Sequence, residues 1–221
     1  SVVKIPEYLD FISAASLPCA AVTAWHAMQY RIPIKKDENV LLIGTGGVSI
    51  FAQQFAATLG AKTIVLSSSD QKLERIMKLG ADYSINYNRF PDWEKKVSEI
   101  TDGRGVDAVY DSVGRDTFHQ SLDCLRIRGT VVLFGHSSGK VEPFDPALLS
   151  AKGSLFLTRP TLFNYTASRE DLLYCATELF GVLQSGAVKA DINQEYPLSE
   201  AQQAHKDLEA RKTTGATLLL P

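Results

Sequence analysis

Residues Gly44-Thr45-Gly46-Gly47-Val48-Ser49 have the types and spacing of a cradle for phosphate. The first glycine permits a tight turn, and Gly46 lets the backbone approach a pyrophosphate closely. A helix starting here would add free N–H groups and a partial positive charge. The third position of the dinucleotide fingerprint is Ser49 rather than glycine or alanine, a departure small enough for helix–sheet packing. The bland alternative is a glycine-rich turn that holds nothing. About twenty residues on, an NAD site usually carries an acidic residue that accepts from the ribose 2′-OH. Here the chain reads Ser67-Ser68-Ser69, with Lys72 close behind and Arg75 one turn further. Hydroxyls plus a cation suit the 2′-phosphate of NADP(H). Asp70 is the counter-evidence, and the reading assigns it to capping the next helix. The alternative is an ordinary capped helix with Lys72 in solvent.

Other chemistry-bearing side chains are scattered. His119, His136 and His205 stand apart from one another. His136 follows the fifth expected strand; a general acid is one reading, and a contact with the nicotinamide ribose is the one preferred. Tyr110 and Asp111 end a core strand and read as structural. Trp93 reads as packing at a helix start. No GxSxG or HExxH pattern occurs, so no catalytic residue is assigned. Cys19, Cys124 and Cys175 are too few and too far apart for a disulfide framework or a structural zinc lobe. No metal is expected, and a reducing, cytoplasmic setting is.

The elements that must carry these residues alternate. Val40 to Ile43 reads as a buried strand and Val48 to Leu59 as a helix ended by Gly60. Lys62 to Leu66 is a strand; Asp70 to Leu79 is a helix. Tyr83 to Ile85, Val106 to Tyr110 and Thr130 to Phe134 are further strands, separated by helices over Trp93 to Ile100 and Phe118 to Leu125. This order predicts an α/β fold with a doubly wound parallel sheet of the Rossmann type, covered on both faces. Residues 36–160 would form it. Residues 1–35 form a lead-in with a helix from Ala15 to Tyr30. Residues 161–221 form a helix-rich tail. Ser154 to Thr158 reads as a strand, Arg169 to Gln184 as a helix, Ser199 as the start of a capped helix through Leu208, and Thr217 to Leu220 as a last strand.

The bulk properties agree. A chain of 221 residues with 45% hydrophobic and 22% charged content has the balance of a folded globular protein. A formal charge of -2 with no Lys/Arg cluster gives no footprint for nucleic acid. Ala14 to Met28 is too short and too interrupted to span a bilayer, and the first residues lack signal-peptide character.

Several stretches resemble one family. Ala14 to Trp25, the GTGGVS turn and Lys78-Leu79-Gly80-Ala81-Asp82 look like zinc-type alcohol dehydrogenase-like members of the medium-chain dehydrogenase/reductase superfamily. From about Gly105 the likeness shifts to quinone oxidoreductase, the zeta-crystallin group. Its carriers are Tyr110 to Thr117, Ser121 to Leu125, Ser137-Ser138-Gly139, Lys152 to Pro160 and Thr213 to Thr217. The resemblance implies that Thr23, Gly46, Gly47 and Val48 lie along the nicotinamide and pyrophosphate, joining Gly44 of the turn. Ser68, Lys72 and Tyr87 would hold the 2′-phosphate end, where the strand-end reading also puts Ser67. Val113, Phe134, His136 and Ser137 would border the nicotinamide, and Arg211 would reach the cofactor from the tail. Cys19 falls where zinc-dependent relatives place a ligand, but no second Cys or His sits at a compatible spacing. The resemblance further implies a GroES-like catalytic domain ahead of the matched region, to which the tail would return. The chain by itself is expected to bind cofactor without turning over substrate.

The expected function is the NADP(H)-binding domain of a quinone or enone oxidoreductase, a homodimer acting on a small molecule, with no nucleic-acid or membrane partner. A zinc-dependent alcohol dehydrogenase and a non-catalytic dinucleotide-binding module remain the alternatives.

Overall fold

The structure is a computed structural model, and it describes residues 2–28, 33–210 and 212–221. Six strands form the main sheet: β1 (Asn39–Ile43), β2 (Lys62–Ser67), β3 (Tyr83–Asn86), β4 (Val106–Asp111), β5 (Leu125–Leu133) and β6 (Phe156–Thr158). A separate parallel pair joins β7 (Ile192–Pro197) to β8 (Ala216–Leu220). The helices are α1 (Phe11–Ala15), α2 (Val22–His26), α3 (Gly47–Thr58), α4 (Asp70–Lys78), α5 (Trp93–Ile100), α6 (Phe118–Asp123), α7 (Ala147–Ala151), α8 (Leu162–Tyr165), α9 (Arg169–Gln184) and α10 (Ala201–Glu209).

The main sheet is parallel throughout, in the order β3-β2-β1-β4-β5-β6. Both faces are buried, which is why β1, β2 and β4 read as nearly continuous apolar runs. Leu41, Ile43, Ile64, Leu66, Val109 and Val131 point into one core with Trp93, Val97, Phe118 and Leu122. Val40, Leu42, Val65, Ala108, Tyr110 and Val132 point into the other, against Phe51 and Phe55 of α3. From β1 the chain runs outward through β2 and β3 and then returns to the other side of β1 as β4, so the strand order reverses between β1 and β4. That switch point opens a crevice at the C-terminal strand ends, where ligands of such sheets sit.

The second core also takes Ala21, Ala24, Trp25 and Met28 from the lead-in, and Cys175, Leu179 and Val188 from the tail. Trp25 meets Phe55 edge-on, with ring centroids 5.0 Å apart. The lead-in and tail therefore share one apolar layer with the sheet.

Several local expectations need correction. The lead-in helix is broken into α1, a π-helical turn at Leu17–Ala21 carrying Pro18, and α2; the expected end at Tyr30 lies outside the described residues. Asp70 is the first residue of α4, not its cap; Ser69 holds the cap position without a side-chain bond. Leu125 belongs to β5 rather than to the preceding helix. It pairs with Val106 beside a register shift between Val106 and Ala108, and Arg128 adopts φ +59°. Ser154 takes φ +56°, so the sixth strand starts only at Phe156. Ser199 sits inside a 3-10 turn, Leu198–Glu200, and α10 starts after it with no side-chain cap. Strand β7 was not expected at all.

At the opposite end of the sheet, Asp107 accepts a forked pair of bonds from Arg104 at 2.9 and 2.7 Å. It also takes Arg126 Nε at 2.5 Å and the Asn39 amide at 2.9 Å. Burial alone would raise its pKa, but the bonds from Arg104, Arg126 and Asn39 outweigh that and hold it at about 2. A depressed carboxylate stabilises the fold above its unfolded pKa of about 3.9 and loses that contribution as pH falls toward the folded value. Asp107→Asn should therefore cost about 2 kcal/mol at neutral pH. Urea unfolding of both proteins from pH 7 to pH 2 should show the gap closing between about pH 4 and pH 2; a gap independent of pH would refute the assignment.

Candidate functional site

The end of β1 turns sharply at Gly44, whose φ is +101° and whose N–H donates to Leu66 O at 2.8 Å. Only glycine adopts that backbone without strain. Gly46 is the N-cap residue of α3, and the helix opens at Gly47. The N–H groups of the first turn have no intrahelical acceptors; Gly46 lines the crevice, and Gly47 and Val48 do not. A Cβ added to Gly46 would meet nothing within 4 Å, so this position borders open groove. A Cβ on Gly47 would press on Ala20 Cβ at 3.3 Å and Gly215 O at 3.4 Å. Gly47 thus serves the close approach of lead-in and tail to the helix start. Ser49 is 5% exposed and packs inward, as its place in the motif requires.

A groove of about 280 Å³ runs from this turn along the strand ends. Gly44, Gly46, Ser67, Ser68, Lys72, Tyr87, Val113 and Ser137 all line it. Thr45, Ser112, Leu208 and Thr213 complete the wall. Ser67 Oγ lies 3.4 Å from Thr45 Oγ1. Lys72 Nζ donates to the Thr213 carbonyl at 2.9 Å. Asp70 carries no unpaired charge toward the groove, since its oxygens take Asn86 Nδ2 at 2.7 Å and Arg89 at 2.5 Å. Arg75, suggested by sequence as a second cation for the phosphate, does not line the groove; it pairs with Asp191 at 2.5 Å.

The groove floor between β4 and α6 is held by one buried carboxylate. Asp111 Oδ1 accepts the N–H groups of Val113 at 2.7 Å and Gly114 at 3.0 Å. Its Oδ2 accepts the hydroxyls of Thr117 at 2.8 Å and Ser121 at 3.0 Å. The loop that carries Ser112 and Val113 into the groove is fixed from below.

A second cavity, about 400 Å³, adjoins α2 and the end of β5. Pro18, Ala27, Phe134, Pro160, Leu162 and Phe163 give it apolar walls, and Cys19, Thr23, His26 and Arg159 add polar edges. Thr23 and Phe134 thus lie here and not in the groove. The His26 ring stands 4.4 Å from that of Tyr165. His136 is exposed, and its Nδ1 lies 3.3 Å from an Arg159 nitrogen. Arg211 lies outside the described residues.

A family model described as zinc-binding dehydrogenase matches residues 47–176. Quinone oxidoreductase 1 of Escherichia coli is 43% identical over 220 residues, which cover 98% of this chain and 67% of that protein. The chain belongs to the quinone oxidoreductase branch of the zinc-binding dehydrogenases. A zinc-type alcohol dehydrogenase-like protein of Schizosaccharomyces pombe is 41% identical over 157 residues, 70% of this chain and 45% of that protein. The crystal structure of Escherichia coli quinone oxidoreductase complexed with NADPH matches with a TM-score of 0.94 at 43% identity. It covers 99% of this chain and 68% of that one.

In this quinone oxidoreductase chain Cys19 is exposed, and Cys124 and Cys175 are buried free thiols. Among the described residues no three His, Cys, Asp or Glu side chains gather as a metal would need. No described helix is long and apolar enough to cross a membrane. Sequence reasoning named Thr45 only as part of the turn and gave neither it nor Ser112 a place in the groove wall; position at a strand end was the available signal. Leu208, Thr213 and Arg159 had no local signal, because only the tertiary fold brings them to the strand ends.

Proposed function

We propose that this chain binds NADP(H) along the groove and, in the enzyme it forms, turns the nicotinamide toward a quinone or enone in the apolar cavity beside it. The observation that carries the reading is the pairing of two ends. At one, Gly46 leaves open space above the start of α3. At the other, Ser67, Ser68 and Lys72 offer hydroxyls and an ammonium, with Asp70 neutralised. The residues present therefore fit a dinucleotide with a 2′-phosphate. When bound, the reduced nicotinamide supplies a hydride. The chain's own part is to orient and desolvate. The first turn of α3 would hold the pyrophosphate. Val113, Phe134, His136 and Ser137 would border the nicotinamide, with Thr23 beside it. Arg211 is assigned to the cofactor by resemblance alone. The apolar walls formed by Pro18, Phe163 and Pro160 suit a flat, electron-poor acceptor.

Calorimetric titration tests this reading: NADPH should bind at least tenfold more tightly than NADH. Equal affinities would overturn it. A stoichiometric zinc lost on Cys19→Ala would move the assignment to an alcohol dehydrogenase.

A homodimer in a reducing cytoplasm completes the proposal. Among the described residues, strand β6 is the last of the sheet and pairs with β5 alone. An uncovered edge invites pairing with its own copy. Phe156 on that strand is 60% exposed, and nearby Ile127 is 72% exposed. Sedimentation should give a dimer at micromolar concentration and a shift toward monomer for Phe156→Lys. A monomeric wild type would refute the pairing.

A further inference from the structure

We propose that the ion pair between Arg75 and Asp191 is a positioning pair for 2′-phosphate recognition, acting through Lys72 and the tail residues 213–215. The inference rests on the NADP(H) reading of the groove and adds two residues that the groove itself does not contain. Arg75 and Lys72 are three residues apart on α4, so both lie on one helix face. Each reaches the tail. Arg75 donates to Asp191 at 2.5 Å and lies 3.5 Å from the Thr214 hydroxyl. Lys72 donates to the Thr213 carbonyl at 2.9 Å. The tail is stitched to the same point from behind. Asn193 and Gln194 donate to Thr214 O at 3.0 and 2.8 Å, and the Ala216 amide donates to Asp191 O at 3.0 Å. On its far side Gly215 bridges to Gly46.

Asp191 Oδ2 also accepts from Asn193 Nδ2 at 3.1 Å, the same nitrogen that donates to Thr214 O, so Arg75 and Asp191 hold Thr214 through its hydroxyl and its carbonyl. Thr214 carries the neighbouring Thr213 carbonyl to which Lys72 donates in the groove wall. An ammonium has three donors, so it can serve Thr213 and a phosphate together. A lysine side chain whose Thr213 contact is loosened leaves more of its ordering to the ligand. That lowers affinity by about three- to tenfold per immobilised side chain. The pair is partly exposed, with side chains 39% and 18% accessible. Such a pair adds little to fold stability, which separates a positioning role from a structural one.

The decisive variant is Asp191→Ala, because two accounts give opposite signs. Simple charge counting says that removing a carboxylate near the 2′-phosphate tightens NADPH. The positioning role says that it weakens NADPH by about three- to tenfold and leaves NADH unchanged. Titration calorimetry with both cofactors reads the difference. Arg75→Met is the second variant, should Asp191→Ala fail to fold; its loss should vanish in a Lys72→Ala background and be largely restored by Arg75→Lys. A loss that persists without Lys72 would assign Arg75 a direct electrostatic effect and overturn the proposal. So would tighter NADPH binding by Asp191→Ala, or equal weakening of both cofactors. A wild type without NADPH preference would instead remove the site reading itself, and this inference with it.

Discussion

Ser67→Asp should reverse the cofactor preference, binding NADH more tightly than NADPH. The substitution puts a carboxylate at the end of β2, on the groove wall that Ser67 lines. That carboxylate would accept from a ribose 2′-OH and repel a 2′-phosphate, which carries close to two negative charges near neutral pH. Thr45 Oγ1, 3.4 Å from the present hydroxyl, is in reach to steady it. Removing an attraction and adding a repulsion together should weaken NADPH by about a hundredfold or more. Lys72→Ala should act on one term only. A charge-assisted hydrogen bond contributes about 1.5–3 kcal/mol, roughly ten- to a hundredfold. Because the ammonium already serves Thr213, the lower end of that range is expected. NADH affinity should barely move. Calorimetry on the three proteins decides the matter, and higher salt should erode NADPH binding more than NADH binding. Unmoved affinities in both variants would mean that the groove holds no 2′-phosphate at this end.

The second large effect is on stability. Asp111→Ala would leave three donors without their acceptor, the amides of Val113 and Gly114 and the hydroxyl of Ser121, while the Thr117 hydroxyl keeps only the Gly114 carbonyl at 3.3 Å. Asp111 is 0% exposed, so water has no ready path to replace the carboxylate. Each stranded buried group costs about 1–3 kcal/mol; with partial relaxation the total should be about 3–5 kcal/mol. Asp111→Asn should cost less, since one amide oxygen still accepts. The loop bearing Ser112 and Val113 should loosen with it, so NADPH affinity should fall alongside stability. Urea unfolding checks the first effect and cofactor titration the second. A loss under 1 kcal/mol would show that the loop is held by packing and not by this carboxylate.

The parts of the site legible in sequence are those whose meaning is local. Gly44, Gly46 and the start of α3 lie within one turn, so spacing alone exposes them. Lys72 is legible for the same reason, four positions after Ser68. Arg75 looked equivalent and was not, because its partner Asp191 lies 116 residues further along. Leu125 continues the helical spacing of Phe118 and Leu122, and only the pairing with Val106 draws it into the sheet. Ser154 and Leu155 look extended by composition, but the left-handed backbone at Ser154 delays the strand. Strand β7, with the sequence INQEYP, has mixed polarity and a proline, so its strand character depends on β8. Local propensity yields to tertiary pairing at each of these points.

The apolar layer behind α3 has a consequence for how the chain assembles. Its lining comes from residues near both ends: Ala21, Trp25 and Met28 at one, Cys175, Leu179 and Val188 at the other. Closing it joins positions more than a hundred residues apart, and contacts of such long sequence separation slow folding. In a chain made from its N-terminus, the layer that holds Phe51 and Phe55 is complete only once Val188 has joined it, whatever order the strands pair in. The cofactor groove, roofed partly by Leu208 and Thr213, is finished later still. The phosphate turn therefore exists before its site does, and cofactor affinity reports on the arrival of the segment that carries Leu208 and Thr213.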